Sequence, residues 1–197
     1  PWHAIGATVS PEARVFSIHS PFRSEEHLTS ALADPGVVAA FRKMIADTVK
    51  GAHVLALLTL GMRDFYSKQE IHGIADVQGR KIRVQATPTE DTLCPAYGAQ
   101  VVHMPFGDVY TSLQTGVVNV AENGINVYLA NKHYEVAPVL SITEHEANNN
   151  CTWVSDKPWN SLTAEQQGRV RAAPSEVSGR EPALATEPET EPGAKAK

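Results

Sequence analysis

The sequence predicts an α/β protein built on a mostly parallel sheet covered by helices. Three observations carry that reading. An unbroken apolar run, Val54-Leu-Ala-Leu-Leu-Thr-Leu60, has the length of a buried strand. A segment with helical spacing precedes it, at Val37, Val38, Phe41, Met44, Ile45 and Val49. From Gly79 onward, short apolar strands alternate with helix-length segments, the signature of strand-helix-strand units.

The elements follow in order. Ser24-Glu-Glu-His-Leu28 joins a capping hydroxyl to early acids, so a helix starts there. Asp34-Pro35 supplies an N-cap followed by proline in the first turn, and Gly51 can close that helix before a strand at 53–60. Lys81–Val84 reads as a strand, and Thr87-Pro88 opens a helix ending at Gly98. Gln100–His103 is the next strand. Asp108–Thr115 is a helix with Val109 and Leu113 inward, closed by Gly116. Val117–Ala121 is a strand, and Asn123 begins another turn or helix. Val139–Thr143 and Thr152–Ser155 are separate later strands. Thr163-Ala-Glu-Gln166 has capping-box spacing before a helix to Ala173. From Pro174 to Lys197 the chain holds four Pro, five Glu and a single Leu. No apolar face survives there, so disorder is expected.

Composition excludes several classes. Lys+Arg 17 against Asp+Glu 22 leaves a net charge of −5, without a basic stripe, so no nucleic-acid partner is expected. No apolar run reaches the roughly 18 residues of a membrane span, so direct insertion is not expected. Cys94 and Cys151 lack metal-ligand spacing and fall in different units, so two unpaired thiols are expected. No nucleophile elbow, P-loop or dinucleotide fingerprint occurs. No catalytic residue and no cofactor is expected.

In sheets of this class, ligands sit at the carboxyl ends of strands. Arg83, Phe106 and Asn123 all fall at or just after strand ends. Lys81 and Arg83 share one strand face and Ile82 and Val84 the other. An arginine there offers two parallel N–H donors to a carboxylate, or else is a surface cation. Asn123 can read an acid oxygen or a hydroxyl, or cap a helix. Phe106 can stack on a carbon chain or pack in the core. Glu144-His145-Glu146 invites a metal, but on a strand His145 points away from both acids, so no metal site is expected there.

Four stretches keep their order and spacing together: GRKIRV from Gly79, YGAQVVHMPFGDVYTSLQTGVVNVAEN from Tyr97, KHYEVAPVLSITEH from Lys132 and SDKPWNSLTAEQQ from Ser155. The chain from about Phe16 to about Ala173 thereby resembles the solute receptors of TRAP transporters, the DctP-type periplasmic binding proteins. Their patterns read roughly GlKiRv, lGa.pvpmpf.evytaLqtGvvDg.EN, kfyEv...lsltgH and s...w.sLs.e.q. The sequence departs at Asn119 and Val120, where the family has Asp and Gly, and at Ser17-Ile-His-Ser-Pro-Phe-Arg23, where it tends to have slPFlFR.

The resemblance implies a type II periplasmic-binding-protein-like fold, two α/β lobes around a cleft, with the first lobe incomplete. Residues 1–60 would belong to lobe I, 61–148 to the carboxylate-binding lobe II, 149–173 would return to lobe I, and 174–197 would be a tail. It implies that Arg83 clamps a small organic acid and that Arg63 reaches the same carboxylate. Asn123 would contact the solute, with His145 and Asn150 near the cleft, and Glu122 would orient an arginine. The expected partners are a carboxylate solute and the transporter's membrane subunits, and the expected location is the periplasm. A shortened receptor without binding activity, or an α/β enzyme acting through His145 or Cys94, are the alternatives.

Overall fold

The computed structural model describes residues 11–178. A 3-10 segment, Pro11–Ser17, leads into helices α1 (Glu25–Ala33) and α2 (Pro35–Thr48). Ser24 Oγ accepts from His27 N at 3.1 Å, and Asp34 Oδ1 accepts from Gly36 N and Val37 N at 2.8 and 3.0 Å. Both starts are thus capped by the side chains the sequence offers for it. The apolar faces, Leu28 and Leu32 on α1 with Phe41 and Ile45 on α2, bury against Leu57, Met62 and Ala147.

Strand β1 runs Ala52–Ser67, well beyond the expected 53–60. It passes through Gly61 at φ +82°, a left-handed conformation that glycine adopts freely. A Cβ at Gly61 would meet only Glu25 Oε1 at 3.5 Å, so space is not limiting. Gly61→Ala should therefore destabilise through its backbone alone, by about 1–2 kcal/mol. Thermal unfolding checks this as a drop of a few degrees.

The remaining elements are α3 (Ile74–Val77), β2 (Lys81–Val84), α4 (Pro88–Ala96), β3 (Gln100–His103), α5 (Val109–Thr115), β4 (Val120–Asn123), α6 (Ile125–Ala130), β5 (Val139–Ser155), α7 (Asp156–Asn160) and α8 (Ala164–Ser178). The strand order is β3-β2-β4-β1-β5. Strand β2 pairs in parallel with β3 and β4, whereas β1 is antiparallel to both β4 and β5. The parallel part is the one with helical crossovers, α4 and α5. The sheet as a whole is mixed, because β1 and β5 run antiparallel beside it.

The two expected strands at 139–143 and 152–155 are the ends of one 17-residue strand, β5. Glu144–Asn150 between them is a polar run with little strand propensity. It stays extended because β1 pairs with it, from Ala52↔Ser155 to Ser67↔Val139, with register shifts near Ala56, Met62 and Phe65. Strand β4 begins at Val120 rather than Val117, so Glu122 and Asn123 are strand residues. Helix α8 starts on the expected reciprocal cap, Thr163 N to Gln166 Oε1 at 2.8 Å and Gln166 N to Thr163 Oγ1 at 3.2 Å. It continues to Ser178 rather than Ala173, so the first residues of the expected tail are helical. The rest of that tail lies outside the described residues.

Two further clusters cover opposite faces of the sheet. One joins Tyr66, Val109, Leu113, Val118, Ala121 and Tyr128, and the other joins Phe65, Ile82, Val84, Cys94 and Val120. Cys94 and Cys151 are free thiols. Among the described residues, no helix is long and apolar enough to cross a membrane.

Candidate functional site

Alternation along β2 sends Ile82 and Val84 into the cluster with Phe65, and both are fully buried. Arg83 therefore faces the other side, at the carboxyl end of the strand. It is 5% exposed. Its Nη2 donates to the Met104 carbonyl at 3.0 Å, and its Nε is buried without a partner. The Phe106 ring centroid lies 5.9 Å from its Cζ. Burial lowers its pKa, and the Glu122 carboxylate partly offsets this. A guanidinium has ample margin to remain charged at neutral pH.

Arg83 lines a cleft of about 460 Å³. Gln85, Asn123, Asn148 and Asn150 supply its polar groups, and Leu60, Met104, Phe106 and Val127 its apolar wall. That volume suits a small molecule. The combination of one underused cation, four amides and an apolar wall suits a polar organic acid.

Four of the six residues singled out in the sequence, Arg83, Asn123, Phe106 and Asn150, meet at this cleft. Phe106 is 39% exposed and is not a core residue. The other two are elsewhere. Arg63 is wholly buried behind the cleft wall. Its Nε donates to Glu122 Oε2 at 2.5 Å and lies 3.1 Å from Glu146 Oε2. Its Nη1 donates to Asn123 Oδ1 at 3.3 Å and Asn148 Oδ1 at 3.2 Å, and its Nη2 to the Glu122 carbonyl at 3.3 Å. Burial alone would lower its pKa, but Glu122 and Glu146 raise it above the usual value. Every nitrogen is engaged. Arg63 therefore holds the two cleft amides in place, and Glu122 is the acid that holds Arg63.

His145 stacks on Phe65, with ring centroids 4.1 Å apart at 10°. Its Nδ1 lies 2.8 Å from Thr143 Oγ1. Phe65 belongs to the Ile82–Val84 face, so His145 and Arg83 lie on opposite sides of the sheet. Burial, His19 and Arg63 together push its pKa well down, and it stays neutral.

Of the Asn148-Asn-Asn150 run, sequence reasoning chose only Asn150, and it missed Gln85, Leu60 and Val127. Asn148 was legible by alternation, because it shares a strand face with Asn150. The other three become neighbours only through the sheet order. A separate buried group, His19, Glu90 and Glu146, has the donor types of a metal site and lies on the Phe65 side.

Residues 4–197 match the family model described as bacterial extracellular solute-binding protein, family 7, DctP. The 2,3-diketo-L-gulonate-binding periplasmic protein YiaO of Escherichia coli K12 is 31% identical over 169 residues, covering 85% of this chain and 51% of that protein. A TRAP periplasmic solute-binding protein from Sulfitobacter, solved with bound β-D-galacturonate, superposes with TM-score 0.86 at 31% identity, covering 95% of this chain and 62% of that one. One from Pseudomonas putida F1, solved with bound D-glucuronate, gives TM-score 0.85 at 30% identity, covering 92% and 59%. The chain spans about half the length of the curated relatives it matches. Its α/β fold is that of the TRAP periplasmic binding proteins. The chain belongs to family 7 of the bacterial extracellular solute-binding proteins, the DctP family.

Proposed function

We propose that this chain carries the acid-gripping part of an extracytoplasmic TRAP-type receptor, and that its solute is a small organic acid of the sugar-acid class. The buried, partnerless Nε of Arg83 at the cleft carries the reading. Hydroxyl-rich uronates match a wall of Gln85, Asn123, Asn148 and Asn150 better than plain dicarboxylates do. The bound galacturonate and glucuronate of two structural relatives support the same class.

In this reading residues 61–148 form the acid-binding lobe, and 1–60 with 149–173 form part of the other. The packing supports that division. The cluster on α1 and α2 reaches Met62 and Ala147, while the other two clusters lie between Phe65 and Leu140. Strands β1 and β5 cross from one part to the other. Gly61 at φ +82° and Glu144 at φ 42° break their regularity there, as do the register shifts. Closure about these strands would be driven by contacts that the solute makes only in the closed form. The closed receptor would dock on membrane subunits from the periplasmic side.

The enzyme alternative has little to stand on. Cys94 is held as a thiol by burial and donates to Glu90 Oε2 at 3.3 Å, and His145 is packed against Phe65. The reading is tested by thermal unfolding with galacturonate, glucuronate and succinate, and with neutral galactose as control. At a hundred times its dissociation constant a bound acid adds about 2.7 kcal/mol. That raises Tm by about 5–10 °C in a chain of this size. Galactose should leave Tm unchanged. Equal shifts for galactose and galacturonate would remove the clamp from the account.

A further inference from the structure

On the Phe65 side of the sheet, three side chains from distant segments converge. His19 comes from the loop before α1, Glu90 from α4 and Glu146 from β5. Their ligand atoms all lie within 4.8 Å of one another. The His19 and Glu90 side chains are each 5% exposed and that of Glu146 is 2% exposed. His19 Nε2 is 3.1 Å from Glu90 Oε1, and its Nδ1 is 2.9 Å from Tyr97 Oη. Glu146 Oε2 meets Arg63, but Glu146 Oε1 is buried with no partner.

Among the described residues three carboxylates, Glu90, Glu122 and Glu146, are buried here, against the guanidinium of Arg63 and, reaching Glu122 from the other side of the sheet, that of Arg83. Cys94, Tyr97 and His145 also border the group. Burial of uncompensated carboxylates is costly unless a cation or a proton joins them.

We propose that His19, Glu90 and Glu146 form a divalent-cation site for a zinc-type ion. One imidazole and two carboxylates fit that preference better than they fit calcium or magnesium, which take oxygen alone. Tyr97 Oη, accepting from His19 Nδ1–H, leaves the Nε2 lone pair facing the two acids. Metal-bound histidines commonly hold their other nitrogen in this way. Bonds of about 2.0 Å in a tetrahedron put ligand atoms roughly 3.3 Å apart. The three groups therefore need to draw in by no more than about 1.5 Å, with water as the fourth ligand. The ion would add to the anchorage of Glu146, and hence of Arg63, from the side of the sheet away from the cleft.

The test is a zinc titration of the 197-residue chain after chelator treatment, read by calorimetry, with cobalt absorption as an independent probe of the ligand set. One ion should bind per chain. His19→Gln and Glu146→Gln should each weaken binding by more than the roughly 10–100-fold that loss of an outer-shell partner costs. Tyr97→Phe should fall within that range. Glu146→Gln keeps the shape of the side chain and removes only its charge. If it does not fold, His19→Gln decides. His72→Gln, at the exposed His72–Glu70 pair, is the surface control and should leave affinity unchanged. Arg83→Lys should leave zinc affinity unchanged too, so this site and the cleft are tested separately. Zinc affinity equal in His19→Gln and the parent chain, or no binding beyond that of exposed pairs, overturns the proposal. Uptake of a proton in place of zinc does so as well.

Discussion

Arg83→Ala should abolish measurable binding of organic acids, and Arg83→Lys should lose most of it. The lysine result is the more informative. Lysine keeps the charge but replaces a flat fork with a point cation on a flexible stem. Arg83 Nη2 is already committed to the Met104 carbonyl, and this fixes the guanidinium plane. The Nε edge is thereby presented in one orientation. Each hydrogen bond to a charged group nets about 1.5–3 kcal/mol. Losing one of two such bonds therefore weakens affinity about 10- to 150-fold, and losing both with the charge takes binding below detection. Calorimetry with galacturonate measures this, and unchanged affinity in Arg83→Lys would rule out two-point recognition. Neither substitution should much alter folding, because Arg83 has no buried ion-pair partner of the kind Arg63 has.

Arg63→Ala should destabilise the fold itself. It strands Glu122 and Glu146, both almost fully buried, without their cation. Breaking a buried ion pair in this way costs about 3–5 kcal/mol, which corresponds to a Tm lower by about 6–20 °C. The pH dependence carries a second signature. Burial raises the pKa of both acids despite the pull of Arg63. A carboxylate with a raised pKa binds its proton more tightly in the folded state. Its contribution is therefore complete below the unfolded value near 4.5 and is lost as pH rises through the folded value. Removing Arg63 raises both pKa values further. The deficit of Arg63→Ala should thus shrink on acidification towards pH 5 and widen towards pH 8. Chemical denaturation at both pH values checks it, and a deficit independent of pH would place the destabilisation in lost packing instead.

How much of this was legible in the sequence depends on the range of the interaction. Helix starts at Ser24, Asp34 and Thr163 are local, and each caps as expected. Strand β2 and the direction of Arg83 follow from alternation over four residues. The length of β5 does not, because Glu144–Asn150 is extended by its partner and not by its own preference. The family resemblance implied that Arg63 reaches the solute carboxylate. Only the pairing Arg63↔Glu146, with Phe65↔Glu122 beside it, reveals two acids waiting for it. Likewise, the acid-histidine-acid triplet at 144–146 offered no metal geometry by itself. Glu146 acquires candidate partners only through α4 and the loop holding His19.

The tether from Arg63 to Asn123 and Asn148 divides the binding wall into frozen and adjustable portions. An altered amide at either tethered position disturbs the network that also secures the interior, so drift in ligand preference there carries a folding penalty. Gln85 and Val127 line the same space outside that network. Diversification towards new nutrients, in nature or in the laboratory, therefore has its cheapest route through those two side chains.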